Sequence, residues 1–383
     1  MDGTGLRIAW LFPSLAFANY WHPVLSEYTK LYPQTIVYTG EWHGFAAGFE
    51  NTFQLVTVGQ MQFIAAHRSK VGYSQGFIKA SPAIVPHLLQ FRPNVIFTTG
   101  FCIWTILAVL FKPIGRWRIV LLYEGSAPGV DYCHSPFRLF LRRILGWSAD
   151  ACITNSLAGQ EYLTKVLNIS KAKVRAQPYQ VPNAQALLTQ VSDPDLSLSS
   201  RRPIFLFTGQ LIPRKGLRQL LEACQILQHW RYQNYTLLIA GDGPEREELQ
   251  AFSRAAQLES CVQWLGWISY GQLGAYFRMA DVFILPTLED TWGMVILEAM
   301  AFGKPILCSQ WAGASELVIE GENGYRFDAH DPQTIAAAMR RLIDCPELIP
   351  RMGQRSQELI ATYTPEASAL FLAKVTDAVI GVI

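Results

Sequence analysis

Asp281–Ser309 reads DVFILPTLEDTWGMVILEAMAFGKPILCS. A β-rich apolar run (DVFILPT) leads into a polar loop holding Glu289, Asp290 and Gly293. An apolar segment, Met294–Phe302, follows and is closed by Gly303, and a second short apolar run (KPILCS) comes next. Strand, loop, helix and strand in that order make a βαβ unit. Its strands are continuously apolar rather than alternating, the mark of a parallel sheet covered on both faces. The predicted helix is apolar on every side, so it is buried all round. Glu298 is its one charge. A lone buried carboxylate is costly unless it is paired or hydrogen-bonded. Two partners meet that need: a structural salt bridge to Arg or Lys, or a ligand offering hydroxyl donors, such as a ribose.

Asp290 stands in the loop, with seven residues between it and that acid. One reading makes it a helix N-cap. The other gives it a ligand role, because Gly293 lets backbone approach closely and the helix start behind it favours anions.

The same cycle recurs in both directions. IFLFTG (204–209) is a predicted strand, followed by a loop with Arg214 and Lys215 and a helix over 217–230. YTLLIAG is a strand, and PEREELQAFSRAA a helix with Pro244 at its first position. Earlier, RIAWLF, TIVYTG, NVIFTT, RIVLLYEG and ADACITNS are strands alternating with helical segments, among them VLSEYTKLY, PAIVPHLLQF, PFRLFLRRILGW and LAGQEYLTKVL. TQVSDPDLSLSSRRP (189–203), rich in Ser and Asp, reads as a linker. The cycle therefore runs twice. The expected fold class is α/β, two doubly wound Rossmann-like domains facing across a cleft, with ligand at the carboxyl ends of the strands. The expected domains are 1–190 and 201–364, with a last helix over 365–383 crossing back to the first.

Composition agrees with a packed two-domain chain: 383 residues, 50% hydrophobic and 12% aromatic. The 32 Lys and Arg against 30 Asp and Glu argue against a nucleic-acid partner. None of the seven cysteines forms a Cys-x-x-Cys pair, which disfavours zinc and thioredoxin-like chemistry and suggests buried free thiols in a reducing compartment. The opening segment carries Asp2 and its apolar run stops at Pro13, unlike a signal peptide. NVIFTTGFCIWTILAVLF is broken by Thr98, Thr99 and Gly100, so it reads as a strand and a buried helix to Lys112 rather than a membrane span. The expected location is cytoplasmic.

TGQLIPRKGL, LLIAGDGPEREEL, ADVFILPTLEDTWGMVILEAMAFGKPIL and GASELVIEGENGYRF fall in this order. Together they resemble the C-terminal half of retaining glycosyltransferases of the GT-B fold, family 4. The similarity is strong over 204–327 and weaker in the first half, where SADACITNSLAGQEYL and Val181–Asn183 match best. The resemblance implies a hexosyltransferase that moves a sugar from a nucleotide-diphosphate donor to a hydroxyl of a saccharide, lipid-linked or small-molecule acceptor, needing no cofactor and no metal. Glu298 matches the second acid of the acid–seven–acid motif, which holds the donor ribose. Asp290 matches the first acid, on the transferred sugar. Lys215 matches the diphosphate clamp. Gly209 and Gln210 lie at the strand end, and Trp292, Gly293, Met294 and Val295 match the loop whose amides touch sugar and diphosphate.

Three positions depart from the pattern. Gln210 replaces the usual Arg, with Arg214 near enough in sequence to compensate. Asp290 is shorter than the usual Glu. PSLAFANYW replaces a Gly-Gly loop after the first strand.

In the first half, Glu124 follows a strand where relatives carry a His, and either orients an acceptor hydroxyl or is an idle loop carboxylate. His22 and His134 are weaker candidates. Arg138, Arg142 and Arg143 share a helix face. That face is either an ordinary solvated surface or a contact with an anionic bilayer, and the latter suits a lipid-linked acceptor. The alternatives to a transferase are a non-catalytic sugar-nucleotide binder and another enzyme on this fold. The acid pair disfavours an epimerase, and the absence of a pyridoxal lysine sequence disfavours a phosphorylase.

Overall fold

The computed structural model describes residues 5–16, 20–46, 48–67, 72–73, 75–182, 187 and 201–381. It divides into two compact units, one of residues 1–68, 74–181 and 363–383, the other of 69–73 and 182–362. The predicted linker over 189–203 lies outside the described residues up to position 200, as does Asn183.

In the first unit, β1 (Ile8–Phe12), β2 (Thr35–Thr39), β3 (Gln54–Thr57), β6 (Val95–Thr99), β7 (Arg118–Tyr123), β8 (Ala151–Thr154) and β9 (Val174–Ala176) form a parallel sheet in the order β3-β2-β1-β6-β7-β8-β9. β4 (Gln62–His67) and β5 (Gln75–Lys79) pair antiparallel as a separate hairpin. In the second unit, β10 (Ile204–Thr208), β11 (Thr236–Ala240), β12 (Val262–Gly266), β13 (Val282–Leu285), β14 (Ile306–Ser309) and β15 (Gly324–Phe327) run parallel as β12-β11-β10-β13-β14-β15. Both sheets start at their centre and reverse direction once. That is the Rossmann arrangement, with a switch point between β1 and β6 and another between β10 and β13.

Alternate residues of each central strand serve opposite faces. Ile8, Trp10 and Phe12 pack on α1 (Trp21–Leu31), while Ala9 and Leu11 pack toward α2 (Ile84–Phe91) and α3 (Ile103–Gly115). Neither face sees water, which explains the unbroken apolar runs. After α4 (Pro136–Ser148), the second unit supplies α5 (Leu217–His229), α6 (Arg246–Ala255), α7 (Tyr270–Met279), α8 (Met294–Ala301), α9 (Pro332–Asp344) and α10 (Leu348–Ile360). The last helix, α11 (Pro365–Ile380), lies on α1 in the first unit. There Tyr28 Oη and Thr376 Oγ1 are 2.6 Å apart, and Tyr32 donates to Asp377 at 2.7 Å.

Several local expectations change. Pro244 is not the first residue of its helix: it sits in a turn, and α6 begins at Arg246. The helix after Gly100 runs past Lys112 to Gly115 with Pro113 inside it, and no described helix is long and apolar enough to cross a membrane. The helix over 157–167 shifts to π-helix at Tyr162–Val166. Four of the seven cysteines are buried, but Cys133 is exposed.

Candidate functional site

The loops after β10 and β13, which flank the switch point of the second sheet, are fastened backbone to backbone. Leu288 N–H donates to the Arg214 carbonyl at 2.8 Å, and Thr287 Oγ1 donates to the same oxygen at 3.0 Å. Gly216 makes this possible. Its φ is +68°, and a Cβ there would lie 1.9 Å from the Pro286 carbonyl oxygen. On the other side, Gly313 N–H donates to the Asp290 carbonyl at 3.1 Å, and Ala314 N–H to the Trp292 carbonyl at 2.7 Å. The loop over 286–293 is thus clamped between two others. Glycine is required at both clamps, since a Cβ on Gly313 would lie 2.2 Å from the Thr291 oxygen.

This clamp brings Lys215 Nζ to 2.5 Å from Asp290 Oδ2, with Arg214 Nη1 3.5 Å from the same oxygen. Burial pushes the Asp290 carboxyl up, but Lys215, Arg214 and the Trp292 amide outweigh it and hold the group below its usual value. Asp290 is not an N-cap: Gly293, at φ +94°, precedes the first residue of α8. The Trp292 indole is buried, and its amide serves Asp290. Met294 and Val295 are partly exposed in the first turn of α8, where backbone N–H groups lack helical acceptors. Gln210 is exposed and Gly209 directly follows β10.

Glu298 lies one turn along α8, among buried neighbours. No ion pair reaches it among the described residues; it accepts one hydrogen bond, at 3.2 Å, from the Tyr270 hydroxyl at the start of α7. Burial pushes its carboxyl up to about 7, a rise that bond only partly offsets. The same contact and burial drive the Tyr270 phenol far above its usual value.

Tyr73 joins this group. Its hydroxyl donates to Asp290 Oδ1 at 3.3 Å and accepts from the Thr291 amide and from Arg214, each at 3.3 Å. The Arg214 guanidinium stacks 4.2 Å from the Tyr73 ring centre, and the Tyr73 amide donates to Glu289 Oε2 at 3.2 Å. Nothing in the sequence singled out Tyr73, which lies 217 positions from Asp290. Tyr270 likewise carried no motif.

Residues 190–359 match the family Glycosyl transferases group 1. That match begins near the middle of the chain and covers less than half of its length. Alpha-D-kanosaminyltransferase of Streptomyces kanamyceticus is 31% identical over 160 residues, which are 42% of this chain and 41% of that protein. The chain thus spans less than half the length of such curated relatives. A longer match, 29% identical over 286 residues and 72% of each chain, is to the lipopolysaccharide core biosynthesis glycosyltransferase LpsD of Rhizobium meliloti. Among solved structures, Anabaena Alr3699/HepE in complex with UDP superposes with a TM-score of 0.76 at 16% identity, covering 97% of this chain and all of that one. The fold is therefore that of the GT-B glycosyltransferases, and the clamped loops and Glu298 all lie within the matched residues 190–359.

In the first unit, Glu124 is half-buried after β7, and its carbonyl accepts from Asn155 Nδ2 at 2.9 Å. Burial raises its carboxyl, against a hydrogen bond from Gln180. His22 is packed against Trp42, Phe45 and Phe53, accepts the Ala46 N–H at 2.9 Å, and is lowered to about 4 by burial, so it is a neutral structural residue. His134 is exposed. Arg138, Arg142 and Arg143 do not form a free cationic face. They donate to the carbonyls of Gly76, Asp131 and Val166 respectively, and Arg142 also bonds the Tyr162 hydroxyl at 2.8 Å.

Proposed function

We propose that the chain is a retaining glycosyltransferase that transfers one sugar from a nucleoside-diphosphate donor to a hydroxyl acceptor without a metal ion. The observation that carries this is Glu298. It is a buried carboxylate at the switch point whose one hydrogen-bond partner among the described residues is a tyrosine hydroxyl rather than a cation. Two ribose hydroxyls are the donors that would satisfy it. UDP, present in the Anabaena structure, is the first nucleotide to test.

In this reading Lys215 and Arg214 face the diphosphate beside the free amides of Met294 and Val295, where a helix start adds partial positive charge. The metal-free character rests on those cations. Asp290 takes a hydroxyl of the transferred sugar, exchanging its contact with Tyr73 for one with ligand. The bond from the anomeric carbon to the diphosphate oxygen breaks as the acceptor oxygen bonds to the same face of that carbon. The acceptor proton passes to the departing diphosphate, whose charge the cations stabilise. Glu124 is proposed to orient the acceptor hydroxyl.

A thermal-shift titration with UDP, GDP and ADP tests the donor site. At least one should stabilise the protein, by a shift that Glu298→Ala removes. A folded Glu298→Ala variant with an unchanged shift would refute the ribose assignment, and intact donor with every acceptor tried would refute catalysis.

A further inference from the structure

α4 presents its aromatic and aliphatic residues to solvent. Phe137, Phe140, Ile144 and Trp147 recur every three or four positions and are 37–75% exposed. They form one stripe, because residues so spaced share a helix face. The arginines of this helix are turned to carbonyls and rings instead, with Arg138 4.0 Å from the Tyr132 ring centre. α3 lies alongside, tied at its end by Lys112 Nζ to the Ser148 carbonyl at 2.8 Å. It adds Leu110 and Ile114, 64% and 67% exposed. At the other end of the two helices opens a cavity of about 750 Å³, lined by Phe63 and Phe77 of the hairpin together with Phe101, Ile106, Phe137 and Leu141. Phe137 belongs to both stripe and cavity, so the apolar surface continues inward past the end of β6. Exposed apolar surface this continuous marks a docking face.

Charge identifies the occupant. From Asn51 to Tyr123 the sequence contains no Asp or Glu, yet it contains seven Lys and Arg. Arg68 and Lys70 lie outside the described residues, Lys112 and Arg118 pair with Asp150 at 2.7 and 3.1 Å, and Lys79, Arg92 and Arg116 complete the set. α3, α4, β4 and β5 carry no acid at all. The chain as a whole is nearly neutral, so this basic character is local. A second copy of the chain fits poorly, since a two-fold contact would set the same cations against themselves. We propose that this face docks on a bilayer containing anionic lipid, with the stripe in the headgroup–acyl boundary and the surrounding cations toward the phosphates. Trp147 suits such a boundary: its ring is half exposed and its N–H is held by the Asn168 carbonyl at 3.1 Å. The contact inverts the helix face suggested by the spacing of the arginines. It uses residues of the first unit alone and does not depend on the donor-site reading.

Flotation of the purified chain with liposomes tests it. Vesicles of phosphatidylcholine alone are compared with vesicles carrying about one-third phosphatidylglycerol, at low and high salt. The protein should partition roughly tenfold better onto the anionic vesicles, and salt should weaken that preference. The double variant Phe140→Glu, Trp147→Glu should lose at least about tenfold in binding. Its melting profile and UDP-induced thermal shift, read in parallel, show that it is folded and keep a failed donor site distinct from a failed docking face. Absence of vesicle binding, equal binding by the folded double variant, or equal binding to neutral vesicles overturns the proposal. So does a dimer seen by light scattering that the variant dissolves.

Discussion

Replacing Glu298 by Gln should make the protein more stable at pH 8 while disabling donor binding. Burial raises this carboxyl from 4.5 to about 7. The native state therefore holds the proton more tightly than the unfolded chain. The sign follows directly: as pH rises from about 4.5 to 7, ionising Glu298 costs native stability, and above 7 the cost is constant. A shift of that size corresponds to about 3 kcal/mol. Glutamine keeps the oxygen that accepts from Tyr270 but cannot ionise, so it escapes the penalty. A unit of this size gains about 2–4 °C per kcal/mol. The variant should melt roughly 5–10 °C higher than wild type at pH 8, and at nearly the same temperature near pH 4.5.

The carboxylate kept at this cost is the group proposed to accept two ribose hydroxyls. Nucleotide binding should favour its ionised form and release about half a proton at pH 7, where Glu298 is half titrated. Isothermal titration with UDP in buffers of different ionisation enthalpy measures that proton. Glu298→Gln should abolish the release and weaken binding by roughly tenfold or more, since hydrogen bonds to a charged acceptor contribute about 1.5–3 kcal/mol. A wild-type minus variant melting difference that does not change with pH would refute the burial argument. Unchanged UDP affinity in the variant would refute the ribose argument, whatever the stability data show.

Three further outcomes follow from the same loops. Lys215→Met should cost about 3–5 kcal/mol, because it weakens compensation of a buried Asp290, and adding Asp290→Asn should recover much of that loss in urea denaturation; additive losses would show that the pair is not coupled. Tyr73→Phe should tighten nucleotide-sugar binding by about two- to fivefold in a titration, since no hydrogen bond to Asp290 must then be exchanged, whereas weakened binding would make the Tyr73 hydroxyl a ligand contact. Gly216→Ala should destabilise by more than about 2 kcal/mol and weaken UDP binding, because a left-handed φ and a backbone collision both force the two loops apart; a variant with wild-type melting temperature and UDP affinity would mean that the clamp is soft.

The central strands were legible because each is a continuous apolar run between turn residues, and β1, β6, β7, β10, β11, β13 and β14 fall within the runs quoted from the sequence. The unpredicted strands lie at sheet margins or outside the sheets. β3 and β12 are edge strands with partly exposed residues, β15 closes the other edge, and the β4–β5 hairpin stands alone. Half-covered strands need fewer apolar residues, so their signal fades into that of loops. Pro244 misled because proline suits a turn just outside a helix as well as its first position.

At the candidate site, sequence spacing exposed what one chain segment holds, and concealed what two segments make together. Asp290 and Glu298 lie on a single loop and helix, so their relation was readable. That Lys215 would neutralise Asp290 was not, because it depends on Gly216 letting the two loops meet. This pairing offsets the cost of burying both charges. A buried Asp290 without Lys215 would be strongly destabilising, and Lys215 without an anion would lose its nearest partner. In the proposed reading a donor brings both a hydroxyl and a phosphate, one for each member of the joined pair. A lone sugar or a lone phosphate satisfies only one of them and must break the ion pair to do so. Free glucose and inorganic phosphate should therefore each bind far more weakly than a nucleotide-sugar, and their joint presence should bind better than the product of the two alone.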